Sequence, residues 1–191
     1  MIIRPVFINF IAEEQLDIDN DILVEYSIKN IGKQNLKTNY LNLDDVELKP
    51  LLNSIDNSLK RIHKEFGFSD EYTLNIDKGW SNINNNFYID MPHCHPTYMF
   101  SVVYYAKANK DCGNLEFNTP VPAMQYSELG LGHCVKEYNA FTAARHSVPP
   151  KTGMLLIFPA WLIHNVTQNN SGEDRISFAF DVKVSGKKNQ W

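Results

Sequence analysis

From residue 72 to residue 184 the chain breaks into short extended runs separated by Asn, Pro and Gly: YTLNI, NFYIDM, YMFSVVYYAK, GNLEF, GMLLIFP, HNVTQ and RISFAFDVKV. Seven or so short strands with turn signals between them predict an all-β sandwich or barrel. Upstream, the stretch from Asp44 to Phe66 has a different period. Leu48, Leu51, Leu52, Ile55, Leu59, Ile62 and Phe66 recur every three or four residues, which predicts a helix. Pro50 suits its first turn, Asp44 or Asp45 its cap, and Gly67 its end. Still earlier, IIRPVFINFI is apolar enough for a buried strand. No repeat, low-complexity tract or linker interrupts the 191 residues. That length suits one domain with one core. The expectation is a single domain over residues 1–191, with the β core at about 72–184 and a supporting strand and helix in 1–70.

The last run shows its two sides. Ile176, Phe178, Phe180, Val182 and Val184 alternate with Arg175, Ser177, Ala179, Asp181 and Lys183. The first set needs a core or a covering helix; the second puts Arg175 and Ser177 together on the opposite face. An inward arginine is costly unless an anion meets it, and its planar fork suits a carboxylate. The hexapeptide MPHCHP, residues 91–96, adds a second constraint. Residues at i and i+2 share a face only on an extended segment, so His93 and His95 aim two imidazoles at one point. A third ligand would make that a metal site. His164 opens a later strand, and Arg175 follows it by eleven residues across a turn at Asn169, Asn170 and Gly172. A metal near His164 and a carboxylate on Arg175 can then be two ends of one small molecule.

Other features have plainer readings. The net charge of −4 gives no basic face for phosphates, which argues against nucleic acid. No apolar run approaches the roughly 20 residues of a membrane span, and the N-terminus lacks a signal-peptide pattern. Three cysteines without a CxxC pair suit free thiols in a reducing, cytoplasmic compartment. Cys94, Cys112, His133 and Cys134 are spaced too loosely for a zinc hook. Cys94 reads as a small packed hydrophobe. Trp80 and Trp161 read as packing residues, Asn84 to Asn86 as a turn, His63 as a surface or groove residue, and His133 and His146 as loop histidines. The segment Thr119 to Pro150 reads as a lid or binding loop.

Over residues 78 to 184, in HCHPTYMFSVVYYAKANKDCGNLEF and VPPKTGMLLIFPAWLIHNVTQNNSGEDRISFAF, the chain resembles the 2-oxoglutarate/iron(II)-dependent oxygenases. It is most similar to their prolyl-hydroxylase-like branch, which includes oxygenases of marine bacteria and phages. The resemblance implies a mainly β double-stranded β-helix, a cupin-like jelly roll, with a flanking N-terminal helix. It implies Fe(II) as metal, 2-oxoglutarate as cosubstrate, O2, and hydroxylation of a small molecule or protein side chain. Mapped onto this sequence, His93 and His164 are metal ligands, Arg175 holds the distal carboxylate of 2-oxoglutarate, and Ser177 and Tyr105 assist it. The family's H-x-D motif reads H-x-H here, so His95 stands at the aspartate position. The expected ligands are therefore His93, His95 and His164, with Asp90 and Glu116 as substitute carboxylates. The competing expectation, drawn from the altered triad, is a cupin-like metal- or ligand-binding module without oxidative turnover.

Overall fold

The computed structural model describes residue 1 and residues 9–31, 38–120, 132–139 and 142–186. In chain order the elements are β1 (Ala12–Gln15), α1 (Asn20–Ile31), β2 (Thr38–Tyr40), α2 (Lys49–Glu65), β3 (Tyr72–Asn84), β4 (Asp90–His93) and β5 (Phe100–Lys107). Then come β6 (Leu115–Asn118), β7 (Arg145–Val148), β8 (Met154–Pro159), β9 (His164–Val166) and β10 (Arg175–Gly186). The strands form two antiparallel sheets: a larger one in the order β1-β8-β5-β10-β3-β2 and a smaller one in the order β4-β9-β6-β7. The strand pattern predicted a sandwich or barrel, and this is the double-stranded β-helix that the family resemblance implied.

Strand alternation divides the larger sheet into two faces. On one, Phe100, Val102 and Tyr104 of β5, Leu155 and Ile157 of β8, and Ile176, Phe178, Phe180 and Val182 of β10 form a core with both helices. On the other, Tyr105, Met154, Leu156 and Phe158 pack with Leu115, Phe117 and Val148 of the smaller sheet. The helix α2 buries Leu51, Ile55, Leu59 and Ile62, the 3.6-period stripe of its sequence. Each such side chain contributes roughly 1.5–3 kcal/mol. Pro50 lies in its first turn, and Gly67, at φ +64, ends it in the left-handed region.

Several local expectations change. A 3-10 turn at Val46–Leu48 precedes α2, so the helix starts at Lys49 and neither Asp44 nor Asp45 caps it. The Asp45 carboxylate instead accepts hydrogen bonds from Tyr26 Oη and Asn42 Nδ2, both at 2.7 Å. The chain has a second helix, α1, which no clean apolar period announced; Asp19 Oδ1 caps it by accepting from the Asp21 backbone N–H at 3.0 Å. Most of IIRPVFINFI lies outside the described residues, and the strand that pairs with β8 is Ala12–Gln15. Much of the segment from Thr119 to Pro150 also lies outside them, although β7 and a 3-10 turn at Gly132–Cys134 fall within it. Finally, β3 runs for 13 residues, not the five of YTLNI. Its second half carries Trp80, Asn82 and Asn84 toward the space between the sheets, so polar side chains stand where an apolar alternation would mark a strand.

Candidate functional site

The two sheets close around a pocket, and each contributes part of its chemistry. His93 ends β4 and His164 begins β9; they are cross-strand partners. His95 lies two residues beyond the end of β4, where its backbone N–H donates to Ala160 O at 2.8 Å. The extended chain therefore continues past the ladder and still aims both imidazoles one way. The ring centroids are 4.5 Å apart for His93–His164, 5.2 Å for His93–His95 and 5.3 Å for His95–His164. One nitrogen from each ring lies within 4.8 Å of the other two.

The second nitrogen of each ring is already engaged. His93 Nδ1 donates to Met91 O at 2.7 Å and His164 Nδ1 to Leu162 O at 2.8 Å, each two residues back along the chain. His95 Nδ1 donates to Asp181 Oδ1 at 2.6 Å. These bonds put the proton on Nδ1 and leave three Nε2 lone pairs for a metal. Burial lowers the His164 pKa to about 4, and the nearby rings of His93 and His95 push the same way, against the hydrogen bond to Leu162. The ring is thus neutral, as ligation requires.

The substitute carboxylates are arranged differently. Asp90 lines the pocket but stands outside the histidine cluster. Glu116 lies on β6 between Leu115 and Phe117, which face inward, and accepts a hydrogen bond from Asn165 Nδ2 at 3.4 Å. Alternation turns it away from the metal cluster.

Arg175, 3% exposed, lines the same pocket. Its Nη2 donates to Asn84 Oδ1 at 2.7 Å, and its Nη1 to Cys112 O at 3.1 Å and Gly113 O at 3.4 Å. Gly113 sits at φ +89, where a Cβ would lie 2.2 Å from Thr167 O, so only glycine lets this turn approach so closely. The Arg175 Nε is buried with no hydrogen-bond partner among the described residues. An orphaned nitrogen on a guanidinium that lines a pocket is a ready donor for an anion. Ser177 and Tyr105 are cross-strand neighbours on the same wall. Burial pushes the Tyr105 phenol up to about 12, although Arg175 draws it down, so it keeps its proton and can donate.

An outer groove of about 460 Å³ adjoins the pocket and shares Trp80, His93 and His95 with it. Tyr40, Lys78, Cys94, Pro96 and Tyr98 also line it. Trp80 stacks on His95 at 5.6 Å with an interplanar angle of 12°, so it is a wall of the site and not only a packing residue. Cys94 is exposed in this groove, contrary to a packed thiol, and Trp161 is 51% exposed. His63 Nε2 meets Tyr72 O at 2.9 Å, and His133 and His146 are exposed. All three cysteines are free. Sequence reasoning missed Asn84, which it took for a turn, and gave Asp181 no role. Asp181 carried a signal, since it lies on the inward phase of β10; Asn84 carried none, since its pairing with Arg175 exists only in the β10–β3 ladder.

Among the described residues no helix is long and apolar enough to cross a membrane. No curated protein matches the sequence. Among solved structures, the chain is similar to a Pseudomonas putida prolyl-4-hydroxylase (14% identity, 92% of this chain and 93% of that one, TM-score 0.65). It is also similar to a viral collagen prolyl hydroxylase from Paramecium Bursaria Chlorella virus-1 (15% identity, 91% and 90%, TM-score 0.58). An oxidoreductase of the 2OG-Fe(II) oxygenase family from Burkholderia pseudomallei matches 75% of this chain, which spans only 60% of that protein (17% identity, TM-score 0.52). These likenesses are of fold. The family model for the 2OG-Fe(II) oxygenases matches residues 78–181, from within β3 to within β10, which is more than half of the chain. By that match the chain belongs to the 2-oxoglutarate- and iron(II)-dependent oxygenases, enzymes that use iron(II), 2-oxoglutarate and O2.

Proposed function

We propose that His93, His95 and His164 hold iron(II) through their Nε2 atoms, that Arg175, Ser177 and Tyr105 bind the distal carboxylate of 2-oxoglutarate, and that the enzyme hydroxylates an unactivated C–H bond. One observation supports this above all: three histidines whose Nδ1 atoms are already engaged line one pocket with Arg175, whose buried Nε has no partner among the described residues. The donor set fits the group, since imidazole suits iron and guanidinium suits a carboxylate. Bound iron and 2-oxoglutarate supply the oxidising chemistry, in which 2-oxoglutarate, O2 and R–H become succinate, CO2 and R–OH.

The chain's own residues bind and orient. Asn84 and the Cys112 and Gly113 carbonyls fix the Arg175 fork before any ligand arrives, so little side-chain entropy is lost on binding. Tyr105 and Ser177 offer hydroxyl donors beside it. Leu115, Phe158 and Val166 give the pocket apolar walls that exclude water. The substrate, a small molecule or a protein side chain, enters by the outer groove, past Trp80 and Tyr98. We read residues 1–191 as one domain and, from the three free thiols, the compartment as the cytoplasm.

The test is anaerobic. Iron(II)-loaded protein should develop a visible metal-to-ligand charge-transfer band on adding 2-oxoglutarate, with matching calorimetric binding. A cupin-like module without turnover would give neither.

A further inference from the structure

Three neutral imidazoles bring no negative charge to a divalent cation, where two histidines and a carboxylate bring one. A carboxylate does reach the site, but from behind. Asp181, on β10, is completely buried. Its Oδ1 accepts from His95 Nδ1 at 2.6 Å, and Lys78 Nζ lies 3.2 Å from its Oδ2. Burying an ionised carboxylate is costly unless partners compensate it. Lys78, its cross-strand neighbour on β3, reaches one oxygen from a half-exposed position. The other oxygen is committed to the one histidine that stands where a carboxylate is usual. The ladder between β10 and β3 shifts register between Asp181 and Val182, an irregularity of the kind that re-aims a side chain. Trp80 covers the face of the same imidazole. His95 is therefore held at its edge by a carboxylate and across its plane by an indole.

We propose that Asp181 is the carboxylate of this metal centre, moved from the ligand position to the far side of His95. There it keeps the His95 proton on Nδ1, turns Nε2 toward the metal and makes the ring a stronger donor. Asp181 touches neither metal nor cosubstrate, so it is a positioning residue. The inference rests on His95 being a ligand. It predicts an interaction between two sites: once position 95 carries its own carboxylate, Asp181 has no imidazole to orient.

The test is calorimetric binding of Co(II) to the metal-free full chain, with melting temperatures recorded for each variant. Asp181→Asn should weaken Co(II) binding about 10- to 100-fold, the range typical of such outer partners. In a His95→Asp background, Asp181→Asn should change affinity by less than about threefold, since the orienting role is gone. Equal losses in both backgrounds would mean that Asp181 acts on the fold as a whole, and would overturn the inference. So would an Asp181→Asn affinity within about twofold of wild type while His95→Ala binds weakly. If His95→Ala itself binds Co(II) normally, the three-histidine reading fails, and this one with it. A second measurement needs no variant. In the metal-free protein at pH 8, nitrogen-15 correlation spectra should show the His95 proton on Nδ1; a proton on Nε2 overturns the inference.

Discussion

Arg175 and Asn84 face each other across the β10–β3 ladder, and Arg175 Nη2 donates to Asn84 Oδ1 at 2.7 Å. The amide thus sets the angle of a guanidinium whose buried Nε has no hydrogen-bond partner among the described residues. Arg175→Ala is expected to nearly abolish turnover with iron retained. Arg175→Lys should raise the KM for 2-oxoglutarate strongly, because a point charge replaces a planar fork. Asn84→Ala should raise that KM about five- to tenfold, the equivalent of one hydrogen bond of about 1–1.5 kcal/mol, with little effect on metal content. Succinate formation against 2-oxoglutarate concentration reads all three. Unchanged kinetics in Arg175→Ala would place the anion elsewhere.

The histidine cluster makes a prediction about metal content. His93→Ala and His164→Ala should each lose most iron on gel filtration, and His95→Ala should bind it weakly. Asp90→Asn and Glu116→Gln should remain loaded, since neither carboxylate joins the cluster and Glu116 is engaged by Asn165. Native mass spectrometry of the five proteins decides between ligand sets. Iron-replete His95→Ala with iron-free Asp90→Asn would transfer the third ligand to Asp90.

Tyr105 predicts an alkaline limb. Its phenol pKa is raised from 10.0 to about 12 by burial. The fold therefore favours the neutral phenol over what the unfolded chain does. That contribution is fully present below pH 10 and is lost as pH rises from 10 through about 12. Wild type and Tyr105→Phe should keep a constant stability difference below pH 10. Above it, wild type should lose ground by up to about 1.4 kcal/mol per pH unit. Denaturant midpoints at pH 8 and at pH 11 test this, and parallel behaviour at both would mean an ordinary phenol.

Gly79 is the close-approach point of β3. A Cβ there would meet the Phe180 ring at 2.4 Å, and Phe180 is completely buried among the residues under the helices. Gly79→Ala should destabilise the protein by about 1–3 kcal/mol through overpacking. A chemical-denaturation midpoint equal to wild type would show that the ring can move aside.

The sequence was most informative where periodicity is local. The two faces of β10 are readable from Arg175 to Val182, because alternation in a strand needs no knowledge of the partner strand. The same holds for the stripe of α2 and for the paired aim of His93 and His95. It failed where polar residues occupy an inward phase. The second half of β3 looks like loop in sequence because Trp80, Asn82 and Asn84 face a pocket and not a core. The helix α1 was missed for a related reason: Ile22 and Ile28 are exposed, which blurs its apolar stripe.

By itself, then, the sequence determined the strand pattern, the inward arginine and the shared direction of two histidines, together with the resemblance that those residues carry. Only the tertiary structure decided which groups meet. Asp181 and His95 are 86 positions apart, Arg175 and Asn84 are 91. Alternation says which face a side chain takes, but the register of β10 between β3 and β5, and the packing of one sheet over the other, choose its partner. That choice depends on the whole set of buried contacts at once, so no short window of sequence contains it.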